Sequence, residues 1–191
     1  KSRRSGCITR SMNTASRSKM STSGVTTGGG EQVILGGRIN IVRSNGQVFE
    51  RNLASTPEVF SPDTGFRTLT AAQSDAAYGK DAESFYYPRA WLTAGGDVFI
   101  LGFDGKMFRL DIAGNGTLHP LTIATSASNF RMPSTMFAPG KILSLRNNAQ
   151  AVVVDINGPA PVVTPTAPLS AHRQWGSATV LADGQVWVNG G

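Results

Sequence analysis

One cysteine, Cys7, is all the sequence holds, so no disulfide can form within the chain. Its two histidines, His119 and His172, have a spacing that matches no metal motif and read as ordinary surface or loop histidines. No apolar run approaches the ~20 residues that a membrane-spanning helix requires, so no membrane is expected as a partner. Acidic residues are missing before Glu31, whereas Lys1, Arg3, Arg4, Arg10, Arg17 and Lys19 all lie there. From Glu31 onward twelve Lys/Arg face twelve Asp/Glu. The net charge of +6 and the pI near 10.0 therefore belong to a tail, and the body is neutral. Such a tail binds polyanions weakly and with steep salt dependence. No recognition motif accompanies it, so no nucleic-acid partner is expected. Also missing are a Ser/His/Asp triad, a paired-carboxylate site, a CxxC motif and a phosphate loop. Gly28-Gly29-Gly30 lacks the Lys-Ser/Thr that a phosphate loop needs and reads as a linker.

Glycine and proline are plentiful, at 22 and 10, beside an ordinary apolar fraction of 40%. That balance fits short strands joined by tight turns. Residues 1–30 are Ser-, Thr-, Arg- and Gly-rich and show neither the two-residue nor the 3.6-residue period, so they read as a disordered tail or as text translated in a shifted frame. From residue 31 the pattern is β. Segments beginning at Tyr87, Arg131 and Trp175 align on one another, each an apolar strand, a two-residue turn ending in glycine, and a second strand. Their turn glycines, Gly96, Gly140 and Gly184, are evenly spaced, in the range of propeller blades. Outer strands follow at Lys106 to Ile112 and at Ala151 to Ile156 with Val162 to Val163. An earlier unit runs from Val33 through Pro57-Glu-Val-Phe-Ser-Pro to Phe66-Arg-Thr-Leu. Four strands per repeat is the architecture of a propeller blade. The expected units are about 31–70, 84–122, 130–165 and an incomplete 173–191; Leu69 to Tyr78 reads as an inter-blade loop. The chain opens on Lys1 and stops at Gly190-Gly191 within a strand pattern, so the remaining blades of a longer parent are its expected partners.

In this order, Gly36-Gly37, Asn45-Gly-Gln-Val-Phe-Glu-Arg, Glu58-Val-Phe-Ser-Pro-Asp-Thr-Gly, Tyr86-Tyr-Pro-Arg-Ala-Trp, Phe137-Ala-Pro-Gly-Lys-Ile-Leu, Val154-Asp-Ile-Asn-Gly-Pro and Arg173-Gln-Trp-Gly-Ser-Ala-Thr-Val-Leu-Ala-Asp-Gly resemble the kelch-type β-propeller of galactose oxidase and glyoxal oxidase, bacterial relatives in particular. The likeness covers about residues 30 to 191. It implies an all-β, kelch-type propeller, here about three four-stranded blades of a seven-bladed parent. It further implies a secreted enzyme, extracellular or periplasmic, that oxidises alcohols or aldehydes with O₂ to give H₂O₂. Copper and a tyrosine cross-linked to cysteine carry that chemistry, with a second tyrosine and two histidines as ligands. This chain departs from the set: Ser21 stands where the cross-linked tyrosine belongs, and Cys7 is too near to serve as its partner. No catalytic or metal-binding residue is therefore assigned in this chain, and it is expected to be inert alone and to bind no copper tightly.

Nine residues before each turn glycine stands a position expected to begin the innermost strand, close to the axis: Ser21, Tyr87, Arg131 and Trp175. The last three are the candidate substrate-binding residues at the channel mouth. An aromatic pair with an arginine suits a carbohydrate or a small alcohol or aldehyde, by stacking and charged hydrogen bonds. The competing reading packs each of them between neighbouring blades. Tyr86, Trp91 and Trp187 are expected inside blade cores, and Asn115-Gly116-Thr117 reads as a tight turn. Two further readings stand beside the oxidase: a non-catalytic kelch propeller that binds glycans or proteins, and a broken copy without function.

Overall fold

The computed structural model describes residues 15–20, 23–43, 45, 48–79, 88–129 and 131–191. Cys7, Ser21, Tyr86 and Tyr87 lie outside the described residues. Strands β1 (Ala15–Met20), β2 (Ser23–Thr26), β3 (Gln32–Leu35), β4 (Arg38–Arg43), β5 (Val48–Leu53), β6 (Glu58–Ser61) and β7 (Gly65–Thr68) come first. A short 3₁₀ turn, Thr70–Ala72, and the single-turn helix α1, Asp75–Tyr78, follow. Next are β8 (Arg89–Leu92), β9 (Val98–Leu101), β10 (Lys106–Asp111) and β11 (Thr117–Ala124). The chain continues with β12 (Ser134–Ala138), β13 (Lys141–Leu145), β14 (Ala151–Asp155) and β15 (Val162–Pro165), then β16 (Ser177–Val180) and β17 (Val186–Asn189).

These strands make three four-stranded antiparallel meanders, β2-β3-β6-β7, β8-β9-β10-β11 and β12-β13-β14-β15, and a two-stranded hairpin, β16-β17. A separate three-stranded sheet, β1-β4-β5, forms where the β4–β5 hairpin interrupts the passage from β3 to β6. The first meander begins earlier than the boundary drawn at residue 30. Ser23–Thr26 pairs in register with Gln32–Leu35, and Val25 is buried in the core.

Alternation of side chains in the strands builds the cores. In β9, Val98 and Ile100 face the first meander and pack with Val33, Leu35, Val59, Leu69 and Tyr78. Phe99 and Leu101 face the third and pack with Met107, Ile142, Val154 and Ile156. The unbroken apolar run Val98-Phe99-Ile100-Leu101 is thus a strand buried on both sides. A third, smaller core holds Met132, Leu145 and Ala151, with Val188 of β17 against it. Innermost strands lie side by side, β2 against β8 and β12 against β16. The Leu69 to Tyr78 segment is an inter-meander connection, as its sequence implies, but it also buries Leu69, Ala72, Ala77 and Tyr78 in the first core.

The turns refine the sequence reading. In the first, second and fourth repeats the hairpin is a three-residue loop rather than a two-residue turn. Gly96 N–H donates to Thr93 O at 3.1 Å and Thr93 N–H to Asp97 O at 2.9 Å, with Gly96 at φ +90°. The same pair of bonds recurs at Thr27–Glu31 and Leu181–Gln185. A type I turn closed by a left-handed glycine has this form. In the third repeat Pro139-Gly140 is a two-residue turn, and the extra residue reappears as a bulge in β12 between Met136 and Ala138.

Trp187 corrects an expectation. It is 59% exposed, because β16-β17 has no further sheet over that face among the described residues. Trp91 is half-buried and stacks on Phe99 at 6.4 Å, as expected of a core aromatic. Asn115-Gly116 is a tight turn, with Gly116 at φ +79° and its N–H donating to Ala113 O at 2.9 Å.

Candidate functional site

In each meander the connections alternate between two ends. One end carries the hairpin turns between first and second and between third and fourth strands. The other carries the turns between second and third strands and the passages from one meander to the next. Arg131 and Trp175 belong to the second end. They lie in the passages just before β12 and β16 rather than within the innermost strands, which begin two or three residues later.

The structure brings Arg131 and Trp175 together. The Arg131 guanidinium carbon lies 5.4 Å from the Trp175 ring centroid, a cation–π contact. The Trp175 N–H donates to the Arg131 carbonyl at 2.9 Å. Trp175 is 68% exposed and holds φ +62°, a left-handed conformation that L-residues seldom adopt. Sequence reasoning missed two neighbours. The Asn129 carboxamide oxygen accepts from the Arg131 backbone N–H at 2.8 Å, and the Gln174 oxygen accepts from Arg131 Nη1 at 3.3 Å. Gln174 is 43 residues beyond Arg131, and no sequence pattern singled it out.

Beneath this pair the passage from β11 to β12 is fixed to two turns. Arg146 is buried; its Nε donates to Ser126 O at 2.7 Å, as does Nη2, and Nη1 donates to Ser144 Oγ at 3.2 Å. Burial pulls the Arg146 pKa down to about 10, a drop that the Asp104 carboxylate partly offsets. Ser128 N–H donates to Phe103 O at 2.6 Å and its hydroxyl to Leu145 O at 2.9 Å. Asn129, and through it Arg131, is thus held by groups that are themselves anchored. Arg89 on β8 donates from Nη2 to Met132 O at 2.8 Å, and burial lowers its pKa. The result is an exposed aromatic face beside a fixed guanidinium and two carboxamides. Such a surface stacks on an apolar ring face and donates hydrogen bonds to hydroxyl or carbonyl oxygens.

The histidines do not join this group as a pair. His119 sits on the outermost strand β11, opposite Arg109, whereas His172 precedes β16 and lies 3.1 Å from Gln174. Among the described residues no group of three His, Cys, Asp or Glu side chains could hold a metal ion. No helix among them is long and apolar enough to cross a membrane.

At the opposite end a cleft of about 470 Å³ is lined by Gly95, Gly96, Asp97, Arg109, Asp111 and His119. Its charges serve the contact between meanders. Arg109 Nη1 pairs with Asp97 Oδ2 at 3.1 Å, and Nη2 donates to Ile156 O at 3.2 Å and Gly158 O at 2.8 Å. One repeat earlier Arg67 pairs with Glu31 at 3.7 Å and donates to Gly114 O at 2.8 Å.

Successive four-stranded antiparallel meanders, packed face to face with their first strands side by side, define part of a β-propeller. No protein-family model matches the sequence, and no curated protein does. Among solved structures the chain is similar to a fungal alcohol oxidase of the AA5 family in complex with copper, at 22% identity and a TM-score of 0.74. That match covers 92% of this chain and 38% of the oxidase, so the chain spans well under half of its length. It is also similar to YjhT, at 11% identity and a TM-score of 0.58, over 86% of this chain and 57% of that one. At these identities the likeness is one of fold.

Proposed function

We propose that this chain is part of a galactose oxidase-like copper-radical oxidase that acts on alcohols or aldehydes, and that its share of the work is to bind substrate. The observation that carries the reading is the Arg131–Trp175 pair at the end where second-to-third-strand turns and inter-meander passages gather. The likeness in fold to a copper alcohol oxidase supports it. Tyr87, at the same position of the preceding repeat in the sequence, is the third candidate substrate-binding residue of this reading and lies outside the described residues. The described residues do not fit a copper site, since His119 and His172 are held in separate surroundings without a third ligand. No step of the oxidation is assigned to them. Trp175 stacks on the substrate's carbon face, while Arg131 donates to its oxygens in an orientation set by Asn129 and Gln174. The enzyme's extracellular or periplasmic location, and further blades as partners of these, belong to the same reading.

The test is to express the full coding sequence that surrounds this chain, load it with copper, and assay H₂O₂ formed from O₂ with a panel of alcohols and aldehydes. Activity is expected, and Arg131→Ala and Trp175→Ala should each raise KM about tenfold with little change in kcat, as loss of ~1.4 kcal/mol of binding requires. A full protein that takes up no copper and makes no H₂O₂, yet binds a glycan through the same two residues, would replace this reading with that of a binding propeller.

A further inference from the structure

The face of the second meander that turns toward the third changes character along its strands. In its middle, Phe99, Leu101 and Met107 fill the core that the two meanders share. At the hairpin end it carries Asp97, Arg109, Asp111 and His119 instead. Arg109 stands opposite Phe99 on β9 and opposite His119 on β11, and Asp111 lies two positions further along β10. Alternation puts them on one side, because Leu110, Ile112 and Leu118 beside them pack into the core shared with the first meander. With bare backbone at Gly95 and Gly96, these side chains line the cleft of about 470 Å³, within the ~300–1,000 Å³ of small-ligand sites. Asp97 and Arg109 are taken up by each other and by the carbonyls of Ile156 and Gly158. Asp111 and His119 are not. Asp111 Oδ1 accepts from the Ala113 N–H at 2.8 Å, which orients the carboxylate, and its second oxygen has no partner among the described residues. No hydrogen bond or ion pair engages His119 among them either, and both residues are exposed.

We propose that this cleft binds a neutral polyhydroxyl ligand the size of a single sugar ring, with Asp111 and His119 as its hydrogen-bonding groups. The lining selects the class by elimination. An anion would face two carboxylates against one guanidinium. A cation would find a single free carboxylate beside that guanidinium, and among the described residues no three metal-ligating side chains come together. An apolar ligand would meet no apolar side chain. A hydroxyl both donates and accepts, so neighbouring hydroxyls suit a carboxylate oxygen that only accepts and an imidazole that can do either. Neither Asp111 nor His119 has to give up an existing bond to receive them. The cleft offers no aromatic face to stack on, so binding rests on hydrogen bonds alone and stays near a Kd of roughly 1 mM. It lies at the end of the fold opposite Arg131 and Trp175 and is a second site, independent of the mouth.

The experiment is saturation-transfer difference NMR on the copper-free protein expressed from the full coding sequence, titrated separately with D-galactose, D-glucose, D-mannose and D-xylose. Trp175→Ala is the background throughout, which removes the aromatic face of the mouth. At least one sugar is expected to bind saturably, and Asp111→Ala and His119→Ala should each weaken that binding about tenfold or more. His119→Gln keeps a donor and an acceptor and should retain most of it. Asp111→Ala also gives up the Ala113 contact, whereas His119→Ala gives up none, so its urea midpoint should match that of the background protein. No saturable signal from any of the four sugars overturns the proposal, as does a signal that survives either alanine substitution undiminished. Both results leave the oxidase reading untouched, because that reading stands or falls on copper uptake and H₂O₂.

Discussion

Arg109→Ala tests whether the neighbouring meanders are joined by charge as well as by apolar packing. The side chain pairs with Asp97 at 3.1 Å, and Asp97 also accepts from the Thr93 hydroxyl. Its second amine reaches two carbonyls of the third meander. The Arg109 and Asp97 side chains are only 19% and 24% exposed, so water screens the pair incompletely. Breaking a fully buried pair from one side costs ~3–5 kcal/mol, and an exposed pair contributes ~0–1. With three interactions lost at this partial burial, Arg109→Ala should cost about 2–3 kcal/mol. With a urea m-value of ~2 kcal/mol/M, the midpoint falls by about 1–1.5 M. Far-UV circular dichroism against urea measures it, and a cycle with Asp97→Asn should return a coupling of ~1–2 kcal/mol. Arg67→Ala is the internal control. Its partner Glu31 is 3.7 Å away and the two side chains are 38% and 31% exposed, so the loss should stay near ~1 kcal/mol. Equal midpoints for the two arginine variants, or a coupling indistinguishable from zero, would refute the reasoning.

Two further outcomes follow from local geometry. Gly105→Ala places a Cβ 2.0 Å from the Thr125 carbonyl oxygen at φ +90°, so it should cost at least ~2 kcal/mol, read as a lowered urea midpoint; an unchanged midpoint would mean that the Thr125 backbone yields freely. The Asp155 carboxyl is held below the ordinary 3.8, first by the Asn157 backbone N–H, then by the Asn157 side chain and Lys141. A carboxyl whose folded pKa is depressed stabilises fully above the unfolded value and loses that contribution as pH falls through the folded one. Asp155→Asn should therefore flatten the acid limb of stability below about pH 4, measured as urea midpoints from pH 3 to pH 6, and an unaltered limb would count against it.

Legibility of the fold in the sequence depended on side chains with a periodic signature. Val98-Phe99-Ile100-Leu101 and the glycines at 96, 140 and 184 announced strands and turns, and both stand where the spacing placed them. Ser23-Gly24-Val25-Thr26 was hidden because a four-residue strand with one large apolar side chain has no period to detect. The β1-β4-β5 sheet escaped for another reason. Its pairing joins residues on both sides of β2 and β3, and no local pattern encodes such a partner. Of the candidate site, Arg131 and Trp175 were legible from repeat position alone. Asn129 and Gln174 were not, since a carboxamide in a Ser/Asn/Gln-rich passage differs from its neighbours only by what it touches. Trp187 misled because alternation gives the face of a side chain but not whether a neighbour covers that face.

The strand β9 divides its side chains between two cores, Val98 and Ile100 to one and Phe99 and Leu101 to the other. The middle meander is consequently half of two interiors and owner of none. A cut made at any repeat boundary splits an interior, so recombining this protein by whole repeats exchanges mismatched halves. A graft that keeps an interior intact therefore has to carry two whole neighbouring meanders, so that both facing halves of the interior between them travel together.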